Sequence, residues 1–175
     1  MTCYREGMAA RTLISVEEYL ATSYRPDCDY VDGEVVERNL GTRDHGWLQA
    51  AVTAYLFNRR RQWNITVITE LRIRVKETRV RIPDVCVILG DTDEQVPTQP
   101  PLICIEVLSP KDRMKRVQER INDYLEMGVP YVWVLDPATR QASAATPAEG
   151  LREVKTGILK TENPALEVPL TEIFA

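Results

Sequence analysis

Leu102-Ile103-Cys104-Ile105-Glu106-Val107-Leu108 is a short aliphatic, β-branched run broken by a single acid, and it decides how the chain is read. It has the length and composition of a buried strand. From Lys111 to Met127 the pattern changes to a helical one, with Met114, Val117, Ile121, Tyr124 and Leu125 on one side and Gly128 placed to stop it. Tyr131-Val132-Trp133-Val134-Leu135 follows as a second buried strand, closed by Asp136-Pro137. Strand, helix and strand in this order predict a right-handed crossover between parallel neighbours. The fold class is therefore α/β (α+β), a central sheet flanked by helices.

Upstream, Val85–Leu89 reads as another buried strand, beginning after Pro83, and residues 90–101 as a polar, acidic, proline-containing loop. From Ile65 the period is two. Leu71, Ile73 and Val75 alternate with Arg72, Arg74 and Lys76, and after Glu77-Thr78 come Val80 and Ile82 alternating with Arg79 and Arg81. This predicts a two-stranded ribbon with one apolar and one basic face. Thr42 is a candidate cap for a helix through Trp47, Leu48, Ala51, Val52, Tyr55 and Leu56, with Arg59-Arg60-Arg61 where cations suit the helix dipole. Asp32-Gly33 between Asp29-Tyr30-Val31 and Glu34-Val35-Val36 is a strong hairpin signal. Ser15 with Glu18 has capping-box spacing for a short helix. Residues 1–11 read as a loose leader, residues 12–175 as one domain, and the part after Arg140 as peripheral strands.

The 175 residues are 44% hydrophobic and 27% charged, ordinary for a globular domain with a full core. No apolar run reaches the length of a membrane span, and the polar start lacks a signal-peptide pattern, so a cytoplasmic protein that does not enter the membrane is expected. Cys3, Cys28, Cys86 and Cys104 are scattered, which argues against a disulfide framework or zinc site. A single histidine excludes His-rich metal centres. The net charge of −4 argues against a dedicated nucleic-acid binder but leaves room for an enzyme whose basic residues are grouped.

Two acids stand out. Asp84 follows Arg81-Ile82-Pro83 at the start of one apolar run, and Glu106 lies inside another. An ionised carboxylate taken out of water needs a partner or else neutralises. Two of them at neighbouring strand ends call for a shared positive charge, and Mg²⁺ with its oxygen ligands is the economical one. The plain alternatives are that Asp84 is a turn residue and that Glu106 faces solvent at a strand end. The basic stripe of Arg72, Arg74, Arg79 and Arg81 either binds a phosphate backbone or protects a sheet edge. By alternation Asp84 falls with Val80 and Ile82, away from those arginines, unless Pro83 breaks the register. His45 is a helix-start or surface residue, or lies near the metal. Asp29 and Asp32 read as turn acids, Glu70 and Asp136 as structural.

The order Tyr30-Val31-Asp32-Gly33-Glu34, His45, Arg81-x-Pro83-Asp84-Val85, Glu106-Val107-Leu108-Ser109-Pro110, Tyr124 with Gly128-Val129-Pro130, Val132-Trp133-Val134-Leu135-Asp136-Pro137 and Leu170–Phe174 resembles the Uma family of the PD-(D/E)XK nuclease superfamily over residues 12–175. The resemblance implies a restriction-endonuclease-like core with a central mixed β-sheet. It also implies Mg²⁺-dependent hydrolysis of DNA phosphodiesters, with Mn²⁺ as a substitute and a homodimer as the working form. Asp84, Glu106 and the Val107 carbonyl would ligate the metal, and Asp29 matches a further acid of many members. Leu108 fits the family's habit of lacking a lysine two residues after the second acid. The lysine thought to substitute corresponds to Arg120, which keeps the charge but cannot be deprotonated. Lys115 or Lys111 would then assist. Under this resemblance Arg72, Arg74, Arg79 and Arg81 position the nucleic acid. The competing readings are an inactive nuclease-fold module binding nucleic acid or protein, and a structural dimerisation domain.

Overall fold

The computed structural model describes residues 13–39 and 41–174. The expected leader and Cys3 lie outside them. Ser15 caps α1 (Val16–Ala21), its Oγ accepting from the Glu18 N–H at 3.1 Å. β1 (Cys28–Val31) and β2 (Glu34–Glu37) form the expected hairpin, with Asp32 and Gly33 both at positive φ, +50° and +95°. That conformation matches the twist of the strands it joins. Thr42 caps α2 (Arg43–Trp63), which ends on Asn64 in the left-handed region.

β3 (Ile65–Thr69), β4 (Ile73–Lys76), β5 (Arg79–Arg81), β6 (Val85–Leu89) and β7 (Ile103–Val107) follow. Then come α3 (Met114–Met127), β8 (Tyr131–Asp136), β9 (Gln141–Thr146), β10 (Gly150–Glu153), β11 (Ile158–Glu162), β12 (Ala165–Pro169) and α4 (Leu170–Ile173). The main sheet has the order β10-β9-β8-β7-β6-β3. β7 and β8 pair in parallel, as the crossover pattern predicts, and the other neighbours are antiparallel, so the sheet is mixed. A second sheet, β2-β1-β5-β4, carries the hairpin and the ribbon, and β11 and β12 form a separate pair. The ribbon does not have the expected apolar and basic faces, because its register sets Ile73 opposite Arg81 and Arg74 opposite Val80.

Alternation along the strands sorts the core into two layers. Val85, Val87, Ile103, Ile105, Val107, Trp133 and Leu135 pack with Leu48, Val52 and Leu56 of α2. Cys86, Cys104, Val132 and Val134 pack with Val117, Ile121 and Tyr124 of α3 and with Ile73 and Val75 of β4. Even-numbered residues of β6 and β7 therefore face α3. Among the described residues, no helix is long and apolar enough to cross a membrane.

Four further expectations need correction. α3 starts at Met114, not Lys111, because residues 109–112 close a turn in which Asp112 Oδ2 accepts from the Ser109 N–H at 2.7 Å. Met114 is 58% exposed, and Lys115 and Arg116 beside it in the first turn of α3 are exposed too. Residues 65–69 belong to the main sheet and not to the ribbon. The segment after Arg140 is not merely peripheral: β9 pairs with β8, and Leu159, Leu166, Val168, Ile173 and Phe174 join the α2-side core.

Candidate active site

Glu106 occupies an even position of β7, so its side chain points to the α3 layer. The β6–β7 register pairs Val85 with Ile105, and one step further sets Asp84 opposite Glu106. The chain bends between β5 and β6, so alternation does not carry across Pro83 and the expected separation of Asp84 from the arginines fails. Arg81 is buried and lines the same cleft as Arg38 and Arg120, two arginines that pair with the acids. Asp84 and Glu106 are 3% and 2% exposed, on one side of the sheet.

Every oxygen of this pair has a neighbour. Asp84 Oδ1 accepts from Arg38 Nη2 at 2.6 Å, and Oδ2 accepts from the Val107 N–H at 2.7 Å with His45 Nε2 3.4 Å away. Gln49 Nε2 donates to the Asp84 carbonyl at 3.0 Å, tying the acid to α2. Glu106 Oε1 accepts from the Tyr124 hydroxyl at 2.6 Å, and Oε2 lies 3.0 Å from Arg120 Nε. That last contact is an ion pair rather than an aligned hydrogen bond, for Arg120 Nε is buried with no donor-aligned partner. Arg120 and Tyr124 sit one helical turn apart on α3, the spacing that lets both reach one carboxylate.

The surroundings push the two acids in opposite directions. Burial raises the Asp84 carboxyl, but the His45 contact and the Arg38 charge outweigh it and hold Asp84 below the ordinary carboxylate range. Burial raises Glu106 to about 7; the Arg120 charge opposes the rise and the Asp84 charge adds to it. His45 is raised by Asp84 against the cost of its own burial. The contrast comes from burial: Glu106 is lifted chiefly by loss of solvent, while Asp84 is held low by the cations beside it.

The two carboxylates lie at one small cavity that Val107 also lines, and carboxylate oxygens are the ligands that a hard divalent cation prefers. Among the described residues, no three His, Cys, Asp or Glu side chains gather as a metal-binding group. Asp29 in particular is turned to Arg81, whose Nη1 lies 2.8 Å from its Oδ2, while its Oδ1 is buried without a hydrogen-bond partner.

Beside the acids lies a cleft of about 570 Å³ that shares Arg38, Asn39, Asp112 and Arg120 with their cavity and adds Asp29, Arg81, Arg116 and the inner side of the β1–β2 hairpin. Lys111 and Lys115 are exposed and line neither space. The basic stripe is largely committed within the molecule. Arg72 pairs with Asp27 at 2.6 Å, and Arg74 donates to the Glu77 carbonyl. Arg79 pairs with Asp32 and Asp123, and Arg81 with Asp29 and Asp123. His45 joins the site from the first turn of α2. Sequence reasoning missed Arg38, Gln49, Asp112 and the buried Asp123. Of these only Asp123 left a signal, an acid beside the apolar face of an amphipathic helix.

Over residues 16–173 the sequence matches the family model Uma2, described as "Putative restriction endonuclease". A crystal structure described as that of "a putative nuclease belonging to DUF820 from Anabaena variabilis ATCC 29413" has the same fold, with a TM-score of 0.80 over 92% of this chain and 97% of that one, at 19% identity. No curated protein matches the chain. The family match runs from the first residue of α1 to the last of α4 and so takes in both acids and the elements that hold them: this chain belongs to the Uma2 family of restriction-endonuclease-like proteins.

Proposed function

We propose that the protein is an endonuclease that hydrolyses phosphodiester bonds in DNA with the help of Mg²⁺, for which Mn²⁺ can substitute. The observation that carries this reading is the buried pair Asp84 and Glu106, side by side next to an arginine-lined cleft, one ionised and the other lifted to about 7. Asp84, Glu106 and the Val107 carbonyl are the groups that would hold the cation. The chemistry it supplies there is neutralisation of charge at the scissile phosphate.

The remaining work falls to the chain's own residues. Arg120, 3.0 Å from Glu106 and 3.8 Å from Asp112, is fixed at the junction of the two spaces and stabilises charge developing on the phosphate. Its guanidinium stays charged, so it cannot take a proton from water. Tyr124 and Gln49 hold the acids in place. Arg38 and Arg116, which face the cleft, take over the backbone contacts first expected of Arg72, Arg74, Arg79 and Arg81. Lys115 and Lys111 remain outer phosphate contacts at most. Cutting both strands of a duplex needs two such sites, and a homodimer provides them.

Nicking of supercoiled plasmid under a Mg²⁺ or Mn²⁺ titration tests the reading. Cleavage that depends on metal and is lost in Asp84→Ala and Glu106→Ala supports it; equal cleavage by wild type and both variants overturns it. A second reading, a non-catalytic module that binds nucleic acid or protein, is favoured by one observation: each acid already has its own arginine. Absence of metal-dependent cleavage by wild type, together with a gain in Arg120→Lys, points to an enzyme weakened at that position; no cleavage by either points to the module.

A further inference from the structure

Arg38 has no role in the sequence reading, yet it makes the shortest side-chain contact to Asp84, 2.6 Å from Nη2 to Oδ1. It lies just past the end of β2 and lines both the cavity of the two acids and the larger cleft. Its neighbour Asn39 donates to Asp112 Oδ1 at 2.8 Å, which pins this segment to the turn before α3. A Cβ added at Gly41 would come 3.1 Å from His45 Nδ1, so the same segment also lies against the imidazole.

A carboxylate oxygen that accepts a hydrogen bond from a guanidinium is already paired with one positive charge and binds a second cation less tightly. We propose that Arg38 is a built-in competitor for the cation at Asp84, a positioning residue that lowers metal affinity until its side chain is drawn into the cleft. This rests on the metal site proposed above. It assigns to the chain itself the weak point of that site, a counter-charge on Asp84 that has to move.

Isothermal titration with Mn²⁺ alone, backed by Mn²⁺ electron paramagnetic resonance, tests it on the full chain. Arg38→Met and Arg38→Gln, both neutral, should tighten Mn²⁺ binding by about tenfold. Arg38→Lys, which keeps the charge, should stay within about threefold of wild type. A merely structural role for Arg38 predicts the opposite, weaker binding in every variant. Unchanged or weaker binding in both neutral variants overturns the proposal, as does equal tightening in Arg38→Lys. Asp84→Asn separates this failure from failure of the site: if it leaves wild-type binding intact, the cation is held elsewhere and both readings fall. If it abolishes binding while Arg38→Met and Arg38→Gln match wild type, only the competitor role falls.

Discussion

At the scale of single residues, the site is defined by an electrostatic contrast between two acids one strand apart. Glu106 is raised to about 7 by burial and by the Asp84 charge, against an ordinary value of 4.5. A carboxyl whose folded value is raised stabilises the fold below the unfolded value and loses that contribution as pH rises through the folded one. The metal-free protein should therefore lose thermal stability between about pH 4.5 and pH 7 on account of Glu106. Glu106→Gln should flatten that part of the profile, and scanning calorimetry from pH 4 to 8 reads it. Asp84, held low, acts in the opposite sense: its contribution is present above the ordinary carboxylate value and is lost as pH falls below it. His45 offers a direct probe, because it is the only histidine in the chain. Its imidazole resonance should titrate above 6.5, the direction set by Asp84, and should move down in Asp84→Asn. A titration midpoint unchanged by that substitution would remove the Asp84–His45 interaction from the account.

At the scale of elements, α3 supplies Arg120 and Tyr124 to Glu106 and Asp123 to the ion cluster behind it, and is closed by Gly128 at φ +102°. A Cβ at Gly128 would meet Pro100 only at an ordinary 3.7 Å, so substitution costs backbone strain and not a clash. Gly128→Ala should lower stability by about 1 kcal/mol, measured by urea denaturation, with the nearest buried groups unmoved. This helix was legible because its period is strong; Val117, Ile121 and Tyr124 are buried as the spacing predicts. Asp84 and Glu106 were legible because an acid within an apolar run contradicts its surroundings. Arg38 was not, for it follows a short strand in an aperiodic segment and its partner is 46 residues away. The arginine stripe misled for a related reason. Alternation within each strand does not give the register between strands: Arg81 lies opposite Ile73 and Arg74 opposite Val80, and acids arrive from β1, its turn and α3 to meet the β5 arginines. The C-terminal strands do alternate, Leu159 before Lys160 and Leu166 and Val168 around Glu167, but alternation does not say which core a short strand joins, and that showed only once the fold had closed over them.

At the scale of the whole molecule, the question is what holds the smaller sheet against α3 so that the cleft between hairpin and helix keeps its shape. Asp123 is the joint. It is 1% exposed, and it meets Arg81 Nη2 at 2.7 Å, Arg79 Nη1 at 2.8 Å and Lys76 Nζ at 3.3 Å. Three cations from β4 and β5 thus converge on one carboxylate from α3, and Arg81 passes the linkage on to Asp29 of β1. Removing one member of a buried charged group leaves the others desolvated and unpaired, which costs about 3 kcal/mol or more. Asp123→Asn should therefore lower the melting midpoint by about 6–12 °C. Asp27→Asn breaks the partly exposed pair with Arg72 and should change stability by no more than about 1 kcal/mol. The two variants remove the same charge, so a difference between them measures burial and not net charge. Similar, small effects in both would mean that the sheets are held by the apolar contacts of Ile73 and Val75 with α3 alone, and that the cleft does not depend on this ion cluster.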